Sequence, residues 1–304
     1  MRAALVPILA ILGAGLALAQ SAPTTQPPVF ATRVESVLID AFATSDGVNI
    51  PGLSARDFVL KDNGAPQAFD LLPTESLPIR AILVFDTSSS MMGAKLERLR
   101  SAAEAFVDRL RPQDEAALIS FSDEITLKAP LDSDLTRVRF GLLTLRARGA
   151  TSVYDALFTA LLTPRSALRT LVILFSDGED NMSWLGEKQA RGVVERSNAL
   201  IHVVAARSED YQSDYFRTRP LPDSAHVKTL RGLAAITGGS LIEVSSPDRI
   251  EAAFAQIVEQ MKSRYVLRYT PESEPAPGWH TLDLQLRSRK GKVRGRTGYW
   301  VEAR

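Results

Sequence analysis

Apolar and polar positions change rhythm twice along the chain. Residues 33–44 (RVESVLIDAFAT) mix them with the two-residue period of a half-buried strand. Ser45-Asp46-Gly47 follows as a turn signal, and Phe58-Val59-Leu60 predicts a second short strand. Asn63-Gly64 predicts a hairpin turn, because both residues tolerate positive φ, and residues 66–72 a third strand. The far end reads alike: Tyr265–Tyr269, Trp279–Leu286 and Val293–Val301 as strands, Pro277-Gly278 and Lys290-Gly291 as turns.

Between these ends, over about residues 80–263, short apolar runs alternate with longer amphipathic stretches. Ile82–Phe85, Ala116–Phe121, Leu171–Phe175, Leu200–Ala205 and Leu241–Val244 predict buried strands. Lys95–Leu110 places Leu96, Leu99, Ala103, Phe106, Val107 and Leu110 on one side of a helix. Further helices are expected over Leu135–Leu145, Val153–Leu162, Glu187–Ser197, Ala225–Thr237 (closed by Gly238-Gly239) and Ile250–Met261. Alternation of this kind predicts an α/β fold: a doubly wound, mostly parallel sheet with helices on its faces. Neither β-rich end is long enough to close a stable unit by itself. Together they predict one discontinuous β-sandwich flanking the α/β domain, or else two separate extensions leaning on it.

The first residues follow neither rhythm. Met1 and Arg2 precede an uncharged apolar run that is short for a membrane span of roughly 20 residues. Ala17-Leu18-Ala19 before Gln20 fits the small-x-small pattern of leader cleavage, so residues 1–19 read as a signal peptide, with an uncleaved anchor as the alternative. Residues 20–29, rich in proline and without charge, read as an extended spacer. The expected organisation is then an N-terminal β segment over 30–78, an α/β domain over 79–263 and a C-terminal β segment over 264–304 that pairs with the first. The protein is expected to be exported, to the periplasm or beyond, with no stable membrane span after cleavage.

Composition narrows the chemistry. A 45% apolar and 23% charged chain excludes wholesale disorder. A net charge of +1 gives no global attraction to nucleic acid, and no nucleic-acid partner is expected. With no cysteine there are no disulfides, thiol nucleophiles or cysteine-held metals. Only His202, His226 and His280 are present; His202 lies in an apolar strand and reads as a core residue, and the other two show no partner in the sequence. Oxygen is the ligand chemistry left. Asp86-Thr87-Ser88-Ser89-Ser90 stands at the end of the first α/β strand, where ligands bind in open α/β sheets. Gly149-Ala150-Thr151-Ser152 precedes a helix, and Ser176-Asp177-Gly178-Glu179-Asp180-Asn181 follows the strand ending at Phe175. Three strand-end loops of hydroxyls and carboxylates suit a hard dication, Mg²⁺ or alternatively Mn²⁺ or Ca²⁺.

This D-x-S-x-S, with a later loop threonine and an aspartate after a further apolar strand, resembles the von Willebrand factor type A (VWA) domain. That family has a Rossmann-like fold and a metal-ion-dependent adhesion site (MIDAS). The resemblance implies metal contacts from Ser88, Ser90 and Thr151, with Asp86 and Asp177 often acting through water; Ser89 replaces the glycine common in the family. The flanks, residues 48–64 and Tyr265-Val-Leu-Arg-Tyr with Gly298-Tyr299, resemble a bacterial VWFA-related family of exported proteins. The function so implied is non-enzymatic: divalent-metal-dependent binding of a protein partner, in adhesion or scaffolding, whose carboxylate completes the coordination. The alternatives are a structural or envelope-assembly protein with a vestigial site, and a metal-dependent hydrolase. No G-x-S-x-G elbow is present, so catalytic residues are not expected.

Three further features carry expectations. Glu179 and Asp180 read as solvated loop acids. The basic cluster of Arg287, Arg289, Lys290, Lys292, Arg294 and Arg296 reads as a solvated strand face, or as a contact for an acidic partner. Residues 207–223 form a long polar loop, either for partner specificity or without a role.

Overall fold

The computed structural model describes residues 36–74, 77–162, 169–177, 179–206, 224–271, 275–287 and 290–303. The leader, the spacer and residues 207–223 lie outside the described residues.

The chain opens with β1 (Val37–Ser45), whose side chains alternate between buried and half-exposed. Asp46 and Gly47 take positive φ and turn it into β2 (Val48–Asn49). β3 (Phe58–Asp62) turns at Asn63-Gly64, as expected, into β4 (Ala65–Gln67). Residues 66–72 are not one strand. β4 stays beside β3, while β5 (Asp70–Leu72) pairs elsewhere, with β12 (Tyr265–Tyr269). Pro66 lacks an N–H to extend the ladder, and Phe69 packs into the core as the chain crosses over.

The α/β portion runs β6 (Ile79–Asp86), α1 (Ala94–Val107), β7 (Glu115–Phe121), β8 (Ile125–Asp132), α2 (Thr136–Leu143), α3 (Val153–Leu161), β9 (Arg169–Ser176), α4 (Glu187–Arg196), β10 (Leu200–Ala206), α5 (Ala225–Ile236), β11 (Leu241–Val244) and α6 (Ile250–Lys262). Its six-stranded sheet has the order β11-β10-β9-β6-β7-β8. Every neighbouring pair is parallel except β7 with β8, an edge strand the apolar pattern did not announce because only Ala129 of its residues is buried. Alternate residues of β6 feed opposite cores. Ala81, Leu83 and Phe85 face α1 and α6, whereas Ile82 and Val84 face α3, α4 and α5. Two helical layers around a doubly wound sheet result.

After α6 the chain forms β12, β13 (Gly278–Leu286), β14 (Lys292–Arg294) and β15 (Gly298–Val301). Residues 293–301 are thus two strands rather than one: β14 joins β1, and β15 joins β13. The terminal strands make two antiparallel sheets, β14-β1-β12-β5 (with β2 on β1) and β15-β13-β3-β4. Ile39, Ala41, Leu267 and Tyr269 of the first sheet share one core with Phe58, Leu60, Leu282 and Tyr299 of the second. Buried Asp62 accepts from the Tyr269 and Tyr299 hydroxyls at 2.7 and 2.8 Å. His280, for which the sequence offered no partner, stacks on Tyr299 and sets its Nδ1 3.3 Å from Asp62 and its Nε2 2.8 Å from the Ala276 carbonyl.

Basic residues join these sheets to the α/β portion. The buried Arg264 guanidinium donates to the carbonyls of Asp40 and Gly238 at 3.0 and 2.6 Å, and Arg169 pairs with the Asp40 carboxylate. Arg294 and Arg296 are not a solvated face. Arg296 is buried and donates to Asn198 Oδ1 and the Ser197 carbonyl, and Arg294 reaches the Gly238 carbonyl and Gln260. Between β14 and β15 the chain passes so close to Gly238 (φ +81°) that a Cβ there would lie 2.5 Å from the Gly295 carbonyl carbon.

Candidate functional site

The first loop leaves β6 at Asp86, beside Phe121 at the end of β7. Asp86 is wholly buried. Its Oδ1 accepts from the Ser88 N–H at 2.8 Å and its Oδ2 from the Ser176 hydroxyl at 2.7 Å. Ser88 Oγ lies 3.0 Å from Ser90 Oγ, which donates to Asp177 Oδ1 at 2.7 Å. Asp86, Ser88, Ser90 and Asp177 are therefore one hydrogen-bonded cluster at the carboxyl ends of β6 and β9. The serines are not spent on capping α1, whose N-cap is Gly93.

Thr151, the fifth candidate, is buried, but its bonds among the described residues run through its backbone to the third loop and not to the other four. Its N–H donates to Asn181 Oδ1 at 2.9 Å, and its carbonyl accepts from the N–H groups of Asn181 and Met182. Ser89 N donates to the Gly149 carbonyl at 3.0 Å and Arg148 N to the Thr87 carbonyl at 2.7 Å, so the first two loops are also stitched together.

Burial sets the electrostatics. It pushes the Asp86 carboxyl up from 3.8 to about 6; the hydrogen bonds from Ser88 and Ser176 work against this rise, and the like charge of Asp177 adds to it. Two acids and several hydroxyls converge where negative charge is disfavoured, so the donor set fits a hard dication. Among the described residues no three His, Cys, Asp or Glu side chains gather at one point, so the rest of any coordination falls to neutral oxygens or to an added ligand.

Several residues escaped the sequence reading. Lys95, in the first turn of α1, sends its ammonium to Asp177 Oδ2 at 2.6 Å and to the Ser90 carbonyl at 3.2 Å. A lysine inside an otherwise apolar helix face was the available signal. Asp180 is not a solvated acid: it accepts from Tyr154 N at 3.0 Å and from Ser183 Oγ at 2.6 Å. With Ser183 Oγ accepting from Asp155 N, it caps α3 across a loop. Asp155 in turn accepts from the N–H groups of Trp184 and Leu185 at 2.9 and 3.0 Å. Four residues after Asp180, Trp184 thus has its backbone anchored while its side chain is 95% exposed, in the same part of the chain as the exposed Met182; Met92, exposed too, follows the serine loop. Such a loop looks polar in sequence, and only its anchoring makes it a platform.

Residues 81–179 match the von Willebrand factor type A domain family. The chain carries a VWA domain. Its match to inter-alpha-trypsin inhibitor heavy chain H4 of Bos taurus is 33% identical over 170 residues, 51% of this chain. The chain spans only 18% of that protein's length. In fold it is similar to a von Willebrand factor type A protein from Catenulispora acidiphila (11% identity, TM-score 0.50), covering 90% of this chain and 75% of that one. It is also similar to proximal thread matrix protein 1 from the mussel byssus, solved with a zinc-occupied MIDAS motif (16% identity, TM-score 0.51), covering 64% of this chain and 48% of that one. At these identities the structural likenesses bear on the fold of the VWA domain and the strands beside it. No helix among the described residues is long and apolar enough to cross a membrane.

Proposed function

We propose that this protein is an exported binding module whose VWA domain recognises a protein partner through a divalent cation held by Asp86, Ser88, Ser90, Thr151 and Asp177. The observation that carries the reading is the cluster of Asp86, Ser88, Ser90 and Asp177 at the strand ends. When bound, Mg²⁺, Mn²⁺ or Ca²⁺ supplies a positive centre with coordination left for a carboxylate from the partner. The chain's own part is to keep Asp86 and Asp177 dry and oriented: Ser176 and the Ser88 N–H fix one, Ser90 and Lys95 the other. Exposed Trp184, on a loop whose backbone Asp155 anchors, supports a binding role, since aromatic side chains are favoured anchors at protein interfaces.

In this proposal residues 1–19 are a cleaved leader and 20–29 a spacer. The two terminal sheets form a β-sandwich from segments 30–78 and 264–304, and residues 79–263 are the VWA domain. The core that the two sheets share supports the sandwich, and the arginine clamps support treating sandwich and VWA domain as one working unit. Calorimetric titration of Mg²⁺ and Mn²⁺ into the protein and into Asp86→Ala tests the site. Saturable binding by the native chain, abolished in the variant, is expected; an equal response of the two proteins refutes it. Partner capture from envelope extracts that persists unchanged in chelator would move the function to a surface other than the metal site.

A further inference from the structure

We infer that Lys95 is the resident counter-cation of the site, and that a divalent ion must displace its ammonium from Asp177 to be held there. The inference rests on the metal-site reading above and adds a regulator built into the chain. The Lys95 and Asp177 side chains are 6% and 0% exposed, with Nζ 2.6 Å from Oδ2. A surface ion pair would be loose and screened, whereas this one is enclosed. The other Asp177 oxygen is occupied by the Ser90 hydroxyl, which is itself in contact with Ser88, and Lys95 also holds the Ser90 carbonyl. The ammonium thus occupies one oxygen of Asp177, an acid that the ion would need, and holds the backbone of Ser90 beside it; among the described residues no other cation pairs with Asp177.

Charge makes the competition unavoidable. Asp86 and Asp177 bring two negative charges and Lys95 one positive, so the metal-free cluster already has half of its acid charge balanced. A dication entering beside a retained ammonium leaves the enclosed site with a net positive charge, which burial penalises. A carboxylate arriving with the ion restores neutrality while Lys95 stays charged nearby. Lysine's long flexible stem lets its head swing aside without moving α1. Lys95 therefore weakens the ion taken alone and makes its uptake depend on an anionic ligand. A neutral side chain at this position would leave the ion able to bind by itself.

The test is a Mn²⁺ titration read by the electron paramagnetic resonance signal of the free ion, on the native chain, Lys95→Met and Lys95→Arg, with acetate as a probe carboxylate. The methionine variant is expected to bind Mn²⁺ roughly tenfold or more tightly than the native chain, the effect of removing one like charge at close range. Lys95→Arg keeps the charge and is expected to bind no better than the native chain. Acetate should tighten Mn²⁺ binding more for the native chain than for Lys95→Met. In chelator the methionine variant should melt below the native chain, because Asp177 loses its partner, and it should gain more from added Mn²⁺. If Lys95→Met does not fold well enough to titrate, Lys95→Gln carries the same expectation. Equal or weaker Mn²⁺ binding by the neutral variants, with the native chain binding, overturns the displacement and leaves Lys95 as a positioning residue for Asp177. Absence of Mn²⁺ binding from every form overturns the metal-site reading itself, and this inference falls with it.

Discussion

Asp86→Asn separates what the site costs the fold from what it does. The change keeps the shape of the side chain and its Oδ1, which can still accept from the Ser88 N–H. It replaces Oδ2 with an NH₂ group, so the Ser176 hydroxyl must turn from donor to acceptor. In the folded, metal-free protein the Asp86 carboxyl is pushed up from 3.8 to about 6, chiefly by burial. At roughly 1.4 kcal/mol for each tenfold change in proton affinity, the buried carboxylate costs about 3 kcal/mol of stability at neutral pH. A less favourable bond to Ser176 returns about 1 kcal/mol of that, leaving Asp86→Asn more stable by about 2 kcal/mol. The sign follows from linkage: the folded protein holds this proton more tightly than the unfolded chain. The Asp86 contribution is fully present below 3.8 and is lost as pH rises through about 6, a loss the amide does not suffer. Urea unfolding in excess chelator should show the variant ahead at about pH 8, the gap closing by about pH 4. A variant less stable than the native chain at about pH 8 in chelator would refute the claim that this site is held against its own electrostatics.

Two more substitutions probe the framework. Asp180→Ala removes the acceptor that caps Tyr154 N and holds Ser183, and should cost about 1 kcal/mol in thermal unfolding; hydrogen exchange should quicken at the start of α3, and no change in either measurement would return Asp180 to the solvent. Asp62→Ala takes from the Tyr269 and Tyr299 hydroxyls a buried acceptor they share, and should cost about 3 kcal/mol by urea unfolding, with a single transition if the terminal sheets and the VWA domain unfold together.

Local pattern carried much of the fold because periodicity reports which faces a segment buries. The strands and helices between Ile79 and Lys262 stand close to where alternating apolar runs placed them, and Asn63-Gly64 turns as its tolerance of positive φ requires. The same sequence named Asp86, Ser88, Ser90, Thr151 and Asp177, from oxygen donors at strand ends and their resemblance to the VWA motif; the structure gathers four of them and ties Thr151 to the third loop instead. The edge strand β8 left little trace, since only Ala129 among its residues is buried. The splitting of residues 66–72 and 293–301 between two sheets depends on partners far away in the chain: β12 for one, β1 and β13 for the other.

Charged residues divided most sharply between what sequence and structure decide. Residue type made Lys95, Asp180, Arg264, Arg294 and Arg296 polar; it did not say where their charge would go. Lys95 is spent on Asp177, 82 positions away in the sequence, Asp180 on the start of a helix, and the arginines on carbonyls that join two parts of the fold. A long side chain can bury its stem and choose its partner only after packing has brought one within reach. Elements, their order and the oxygen chemistry of the site were written in local pattern. Which charges are paired, which acid sits against burial, and which cation stands guard over the site were decided by long-range contacts that no window of sequence contains.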